Sequence, residues 1–437
     1  MIESYEQKGN WPFLLGVYMG INAVEDAFCI VDSPDCAFFK AEHIQGNHDR
    51  ASSLLNVNGQ HRIVNTRADV GNIINDRRTI VQSMAQDVYD HPGTASLFTT
   101  SMPMAMVTGV EYGLLMRQCQ EQGKTWKPTA EIPCQSLSGD WLDGYADFMT
   151  AMAGALDLSQ DKRQKNTIAI VGNMMDRVEA DGHANVRELT RMAEAIGLSV
   201  SSVWLSGQKT APMNRVQEAS LIVSHPYGRD AAQRVSERTG ADLIELDLPF
   251  GLRGSETWIR ALAEATGKTK EAETFIDQTL SQIIPRLEWA VQGRLVGKKM
   301  VVAADPHLTY GWTELLKEVG ANVTMAINYG REGHREEMAQ VNGGTTLLHE
   351  PPLSRLRTEL RTLFHNSAPP DLLISNSQAF QAADLDWPKF LEFGYPSYHT
   401  YALHEAPFLG FEGATWALEQ VVNRLGLLAH LSPYRPE

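Results

Sequence analysis

Thr167-Ile-Ala-Ile-Val-Gly172 decides the fold class. A short apolar run closed by a glycine reads as a strand buried on both faces. Downstream, Val186, Leu189, Met192, Ala193 and Ile196 recur at helical spacing, and Gly197 ends the pattern. Leu198-Ser-Val-Ser-Ser-Val-Trp204 then returns as a strand. Ala219-Ser-Leu-Ile-Val223, a helix over Asp230–Thr239 and Leu243-Ile-Glu-Leu246 repeat the alternation. Strand, helix and strand with short connections predict an α/β fold with a doubly wound parallel sheet.

The same alternation restarts twice. Gly297-Lys-Lys-Met-Val-Val-Ala303, a helix over Thr313–Val319, Asn322-Val-Thr-Met325 and Pro370-Asp-Leu-Leu-Ile374 form one further copy. A less regular copy lies near the N-terminus in Phe28-Cys-Ile-Val31, Arg62-Ile-Val64 and Ala95-Ser-Leu-Phe98. The polar stretch Asp161–Asn166 reads as a linker, and a long helix ending near Gln292-Gly293 reads as a bridge. The expectation is three Rossmann-like domains, over 1–165, 166–294 and 295–437.

The chain has 437 residues, with 38 Lys+Arg against 53 Asp+Glu, a formal charge of −15. Phosphate-binding surfaces show a basic excess, so nucleic acid is not an expected partner. The N-terminal residues are too polar for a signal peptide, and no apolar run is long enough to span a membrane. Four cysteines without an export signal predict reduced thiols and a cytoplasmic protein.

Neither a strand-following G-x-G-x-x-G nor a G-x-x-x-x-G-K-[ST] is present, so ATP, if used, belongs on another chain. G-x-S-x-G and H-E-x-x-H are missing too. In open parallel sheets, ligands sit beyond the carboxyl ends of strands. Cys36 lies in such a loop, within Asp32-Ser-Pro-Asp-Cys36, as a metal or cluster ligand or as a packed free thiol. Cys134 is on a loop and divides evenly between ligand and structure, whereas Cys29 falls inside a strand and Cys119 on a helix. His225 and His307 follow strands, and His399 and His404 share one loop. Each is a candidate for proton transfer, and each also reads as a hydrogen-bonded loop histidine. Arg253, in Leu248-Pro-Phe-Gly-Leu-Arg-Gly254, could bind a carboxylate or form a surface ion pair.

Taken in order, these loops resemble the nitrogenase component 1 superfamily, which includes the nitrogenase molybdenum–iron protein and dark-operative protochlorophyllide reductase. The resemblance runs from about Leu14 to Leu425. Its residues are Leu15-Gly-Val-Tyr-Met-Gly-Ile-Asn-Ala-Val24 with Asp32–Cys36, Ser96–Ser101 with Val107–Val110, and Leu137–Tyr145. Ile170–Gly172, Leu205–Gly207 and Leu248–Leu252 follow in the middle, and Gly394-Tyr-Pro396 with Phe408-Leu-Gly-Phe-Glu-Gly413 closes the series.

The resemblance implies a dimer or α2β2 assembly of paralogous subunits, or of two copies, with an iron–sulfur cluster at the subunit interface. That cluster would be [4Fe–4S] or larger. A separate homodimeric P-loop ATPase with its own iron–sulfur cluster would deliver electrons, ATP being bound only there. A small organic or tetrapyrrole-like molecule would be reduced, with a further metallocofactor as an option. The alternative within the same family is a scaffold or carrier for metallocluster assembly.

Carried over residue by residue, one interface cysteine of the family falls on Cys36 and another on Ser101. A third falls near Pro12–Phe13, where there is none, leaving Cys29 as a substitute. A serine typical of β-type subunits falls on Ser136, with Cys134 two residues away. The family's cofactor-anchoring cysteine falls on Ser224, beside His225, and His404 matches β-type subunits. The resemblance is therefore to a β-type subunit with a reduced set of cysteine ligands. His225, Arg253, His399, His404 and Glu412 are expected to line the substrate cleft.

Overall fold

The computed structural model describes residues 8–55, 60–73, 77–160, 162–178, 181–331 and 344–431. Two compact units are present. Of the described residues, those within 11–186 and 197–246 form one, and those within 8–10, 187–196 and 247–431 form the other.

The first unit holds two parallel four-stranded sheets. Strands β1 (Ala27–Asp32), β2 (Ile63–Asn65), β3 (Ser96–Ser101) and β4 (Thr129–Glu131) lie in the order β2-β1-β3-β4. Strands β5 (Gln164–Val171), β6 (Ser199–Val203), β7 (Ala219–Ser224) and β8 (Asp242–Glu245) lie in the order β6-β5-β7-β8. The second unit has one parallel sheet of five strands: β9 (Lys299–Ala304), β10 (Asn322–Asn328), β11 (Thr346–His349), β12 (Leu372–Ser375) and β13 (Phe390–Glu392). Their order is β11-β10-β9-β12-β13. In each sheet the chain winds one way from the starting strand and then the other. That places switch points between β1 and β3, β5 and β7, and β9 and β12.

The expected strands are found with ends shifted by a few residues. Asp161 lies outside the described residues, but Gln164–Asn166 belong to β5 and are not linker. Strands often extend a polar end past the buried layer, and the first two residues of β5 are exposed. The helix expected to start at Thr313 begins at Pro306. There the Asp305 carboxylate accepts from the backbone N–H groups of His307 and Leu308, and proline takes a position where no N–H is needed. The long helix spans Thr269–Ala290 and passes into one wide turn over Val291–Leu295.

In the first unit, all ten residues of the helix Phe13–Asn22 are buried. Its last carbonyls need partners away from water. The buried Arg62 guanidinium supplies one, with Nη1 donating to Ile21 O at 2.6 Å, and it also reaches Val24 O at 3.0 Å and Ala27 O at 3.1 Å in the chain that follows the helix. This helix crosses Trp141–Ala155 at backbone contact. A Cβ at Gly16 would sit 1.7 Å from Trp141 O, and one at Gly144 would sit 2.0 Å from Phe13 O. Asp140 starts the second helix with a reciprocal cap involving Asp143.

Backbone against backbone leaves no flexible side chain to move aside. Gly144→Ala is therefore expected to cost about 3 kcal/mol of stability. Urea unfolding of the two chains side by side measures it.

Candidate functional site

At the first switch point, Asp32 ends β1 and Ser101 ends β3, and the two are register partners. The Asp32 carboxylate is fully buried, where an unpaired charge would cost several kcal/mol. The equally buried Arg77 pairs with it. Thr66 Oγ1 donates to it at 2.6 Å and the Tyr112 hydroxyl at 2.7 Å. Arg77 also donates to Thr66 Oγ1 at 2.8 Å and to Asn72 Oδ1 at 2.5 Å. Burial, and then the hydrogen bond to Asp32, push the Tyr112 phenol far above its ordinary range, so it stays a donor.

The loop beyond Asp32 is held residue by residue. Ser33 N–H donates to Thr66 Oγ1 at 3.2 Å, and Asn65 Nδ2 donates to Ser33 Oγ at 2.6 Å and Pro34 O at 3.0 Å. Ala68 N–H donates to Ser33 O at 2.8 Å, and the Tyr18 hydroxyl to Ala37 O at 2.8 Å. Cys36 opens the short helix Cys36–Phe39 on this loop, and its thiol is exposed.

Cys134 follows β4 and is half-buried. Next to it, Gln135 Nε2 donates to Asp147 Oδ2 at 2.8 Å. The Ser136 hydroxyl is buried with no hydrogen-bond partner among the described residues. Adjacent strands β1, β3 and β4 thus bring the loops of Cys36, Ser101, Cys134 and Ser136 to one sheet edge. Exposed apolar side chains flank those loops: Phe39 at 57%, Met106 at 51%, Val107 at 78% and Leu137 at 89%.

Two sequence-derived ligand candidates are not presented to solvent. Cys29 is buried in the middle of β1, its thiol against Ile30 O at 3.8 Å. Burial pushes that thiol far up, so it stays protonated, which opposes metal ligation. Ser101 is buried as well.

At the second switch point, His225 follows β7 and is fully buried. Desolvation first, and Arg229 second, lower its pKa to about 3. Burial thus favours the neutral imidazole at physiological pH.

Arg253, His399 and His404 belong to the other unit. Arg253 is exposed on the helix Gly251–Thr266, with its backbone N–H on Glu318 Oε1 at 3.1 Å. His399 and His404 are exposed on the loop after β13. The base of that loop is set by the buried Glu392 carboxylate. It accepts from Ser377 Oγ and from the N–H groups of Tyr398 at 3.0 Å, His399 at 3.0 Å and Thr400 at 2.5 Å. The His399 ring lies against Phe380 and Trp387, with centroids 6.0 and 5.8 Å away. Glu412 is exposed and pairs with Arg191 at 3.5 Å.

Nothing in the sequence pattern marks Arg77, Thr66, Tyr112, Gln135 or Asp147. Asp32 alone carries a signal, as a carboxylate ending an apolar strand.

The family model for nitrogenase component 1 type oxidoreductases matches residues 14–426, and the chain belongs to that family. Among its relatives is a light-independent protochlorophyllide reductase chain from Heliobacterium modesticaldum. The two are 25% identical over 331 residues, covering 72% of this chain and 61% of the relative. The nitrogenase molybdenum–iron protein beta chain of a Nostoc species is 28% identical over 352 residues, covering 74% of this chain and 66% of the relative. The matched region thus spans just under two thirds of these curated relatives' length. A solved structure of nitrogenase Cp1 superposes with a TM-score of 0.81 at 17% identity, covering 99% of this chain and 94% of that one, so the fold is shared. No helix among the described residues is long and apolar enough to cross a membrane.

The family implies an iron–sulfur cluster. Among the described residues, no three His, Cys, Asp or Glu side chains gather to hold a metal. The donors on offer are the exposed thiol of Cys36 and the half-buried thiol of Cys134. That set fits a partial contribution to a shared cluster and not a complete ligand shell.

Desolvation, then the neighbouring Asp143 charge, raise the Asp147 carboxyl to about 6 from 3.8. A raised carboxyl makes the folded state bind the extra proton. Stability is therefore lost as pH rises through about 6 and is retained below the ordinary carboxyl range. Asp147→Asn is expected to be more stable than the parent by about 1 kcal/mol at pH 8, after discounting for partial exposure. The difference should vanish near pH 4, as denaturation midpoints across that range will read.

Proposed function

We propose that this chain is the β-type subunit of a nitrogenase-like, ATP-dependent iron–sulfur oxidoreductase. Its partner is a paralogous component 1 subunit or a second copy of the chain. The two share a cluster at the carboxyl edge of the first sheet. A homodimeric P-loop ATPase with its own iron–sulfur cluster supplies low-potential electrons, and the substrate is a small organic or tetrapyrrole-like molecule.

The observation that carries this reading is Cys36. Its thiol is exposed, yet the loop beneath it is fixed by buried and half-buried hydrogen bonds. A ligand held in place before the metal arrives loses little conformational freedom on binding. The exposed apolar residues beside it suit burial by a protein partner. When bound, the cluster would supply one-electron transfer. This chain's own part is to present Cys36, with Cys134 as second candidate thiolate, and to surround them with surface from which a partner excludes water. Ser136, whose buried hydroxyl has no partner among the described residues, is a further candidate donor.

Iron and acid-labile sulfide content, with EPR, tests the reading on anaerobically purified chain, alone and after co-expression with a candidate partner. Cys36→Ala is expected to reduce bound iron to background, while Cys29→Ala retains it. Iron missing from every preparation, partner included, would remove Cys36 as a ligand. ATP-dependent turnover with the reductase distinguishes an enzyme from an assembly scaffold, which would deliver its cluster once to an acceptor.

A further inference from the structure

Cys36 sits on a loop whose root is a buried charge. Asp32, four residues earlier, is the last residue of β1, and three groups from three other parts of the chain converge on its carboxylate. Arg77 reaches it from the helix Arg77–Asp90, Thr66 from just beyond β2, and Tyr112 from the first turn of the helix Tyr112–Gln122. Thr66 links the charge to the loop itself. Its hydroxyl donates to Asp32, accepts from Arg77, and accepts the Ser33 N–H at 3.2 Å. The loop also bonds outward, through the Asp32 carbonyl, which accepts Met102 N–H at 3.0 Å just beyond β3.

We infer that Arg77, Thr66 and Tyr112 are positioning residues that act through Asp32 to fix the backbone presenting Cys36. The inference rests on the proposed role of Cys36 as a cluster ligand, but it concerns the cluster-free chain and can be tested there. A buried carboxylate cannot be left unpaired. Asp32 can therefore leave its site only by exposing itself to water and breaking the bonds of all three partners together. Cys36 itself is exposed, so packing around the thiol does not hold it. Its order comes from the backbone on either side, through Ser33–Pro34 before it and through Ala37 after it, whose carbonyl accepts the Tyr18 hydroxyl.

The experiment places a nitroxide on Cys36 in the full chain carrying Cys134→Ser. The remaining cysteines, Cys29 and Cys119, are buried and do not take the label. The parent should give an immobilised line shape. Thr66→Val and Tyr112→Phe each remove one hydroxyl with little change in shape. Each should give a label with a roughly twofold shorter correlation time. Thr66→Ser, which keeps the hydroxyl, should restore the parent spectrum. The same three variants labelled at Cys134 in a Cys36→Ser chain serve as control and should not change.

An unchanged Cys36 spectrum in both Thr66→Val and Tyr112→Phe would overturn the inference. So would equal sharpening at Cys134, which would mark general loosening. If the line shape responds as expected while no preparation binds iron, the positioning role stands and the cluster-ligand reading falls.

Discussion

A single buried carboxylate organises the edge of the first sheet. Asp32 cannot stay in the interior without its donors, and those donors come from beyond β2 and from two helices that follow β2 and β3. Satisfying one charge therefore sets where three connections leave the sheet. Removing Arg77 alone would strand the charge, and such broken buried pairs cost about 3–5 kcal/mol. The pair is thus better understood as a constraint on geometry than as a source of net stability. What it constrains is the loop of Cys36, the residue proposed as a cluster ligand.

The second unit uses the same device with a different outcome. Glu392 ends β13 as Asp32 ends β1, and it too gathers donors around a buried carboxylate. Its donors are mostly backbone N–H groups of the following loop, so it orders the stem of the segment bearing His399. At the third switch point, Asp305 and Asn376 spend their side chains capping the helices that follow β9 and β12. His225, at the second switch point, is kept neutral by burial. Of the three sheet edges, the first is the one that offers exposed thiol to solvent.

Most of this architecture is legible in the sequence because buried parallel strands are continuous apolar runs. Three strands are not, Thr129–Glu131, Thr346–His349 and Phe390–Glu392, and all three lie at sheet edges. Edge strands this short can escape a reading by pattern, although β2 and β8, equally short and also at edges, are legible. Cys36 is legible as a loop thiol after a strand, and the strand position of Cys29 agrees with its burial in the structure. The Asp32–Arg77 pair is not legible. A lone Asp and a lone Arg 45 positions apart share no periodicity, and nothing local joins them. Ser101 is matched by resemblance, which does not report that it is buried.

The span of these bonds has a consequence for biogenesis. Apart from the bond from Tyr18, the side-chain hydrogen bonds that fix the Cys36 loop reach residues between 31 and 80 positions further along the chain. Contacts so distant form late, since the intervening chain must be ordered first. While the ribosome is still emitting the segment before Tyr112, the thiol is present but has no defined place. The fixed presentation of Cys36 is thereby a product of completed folding, and a half-made copy does not yet have it.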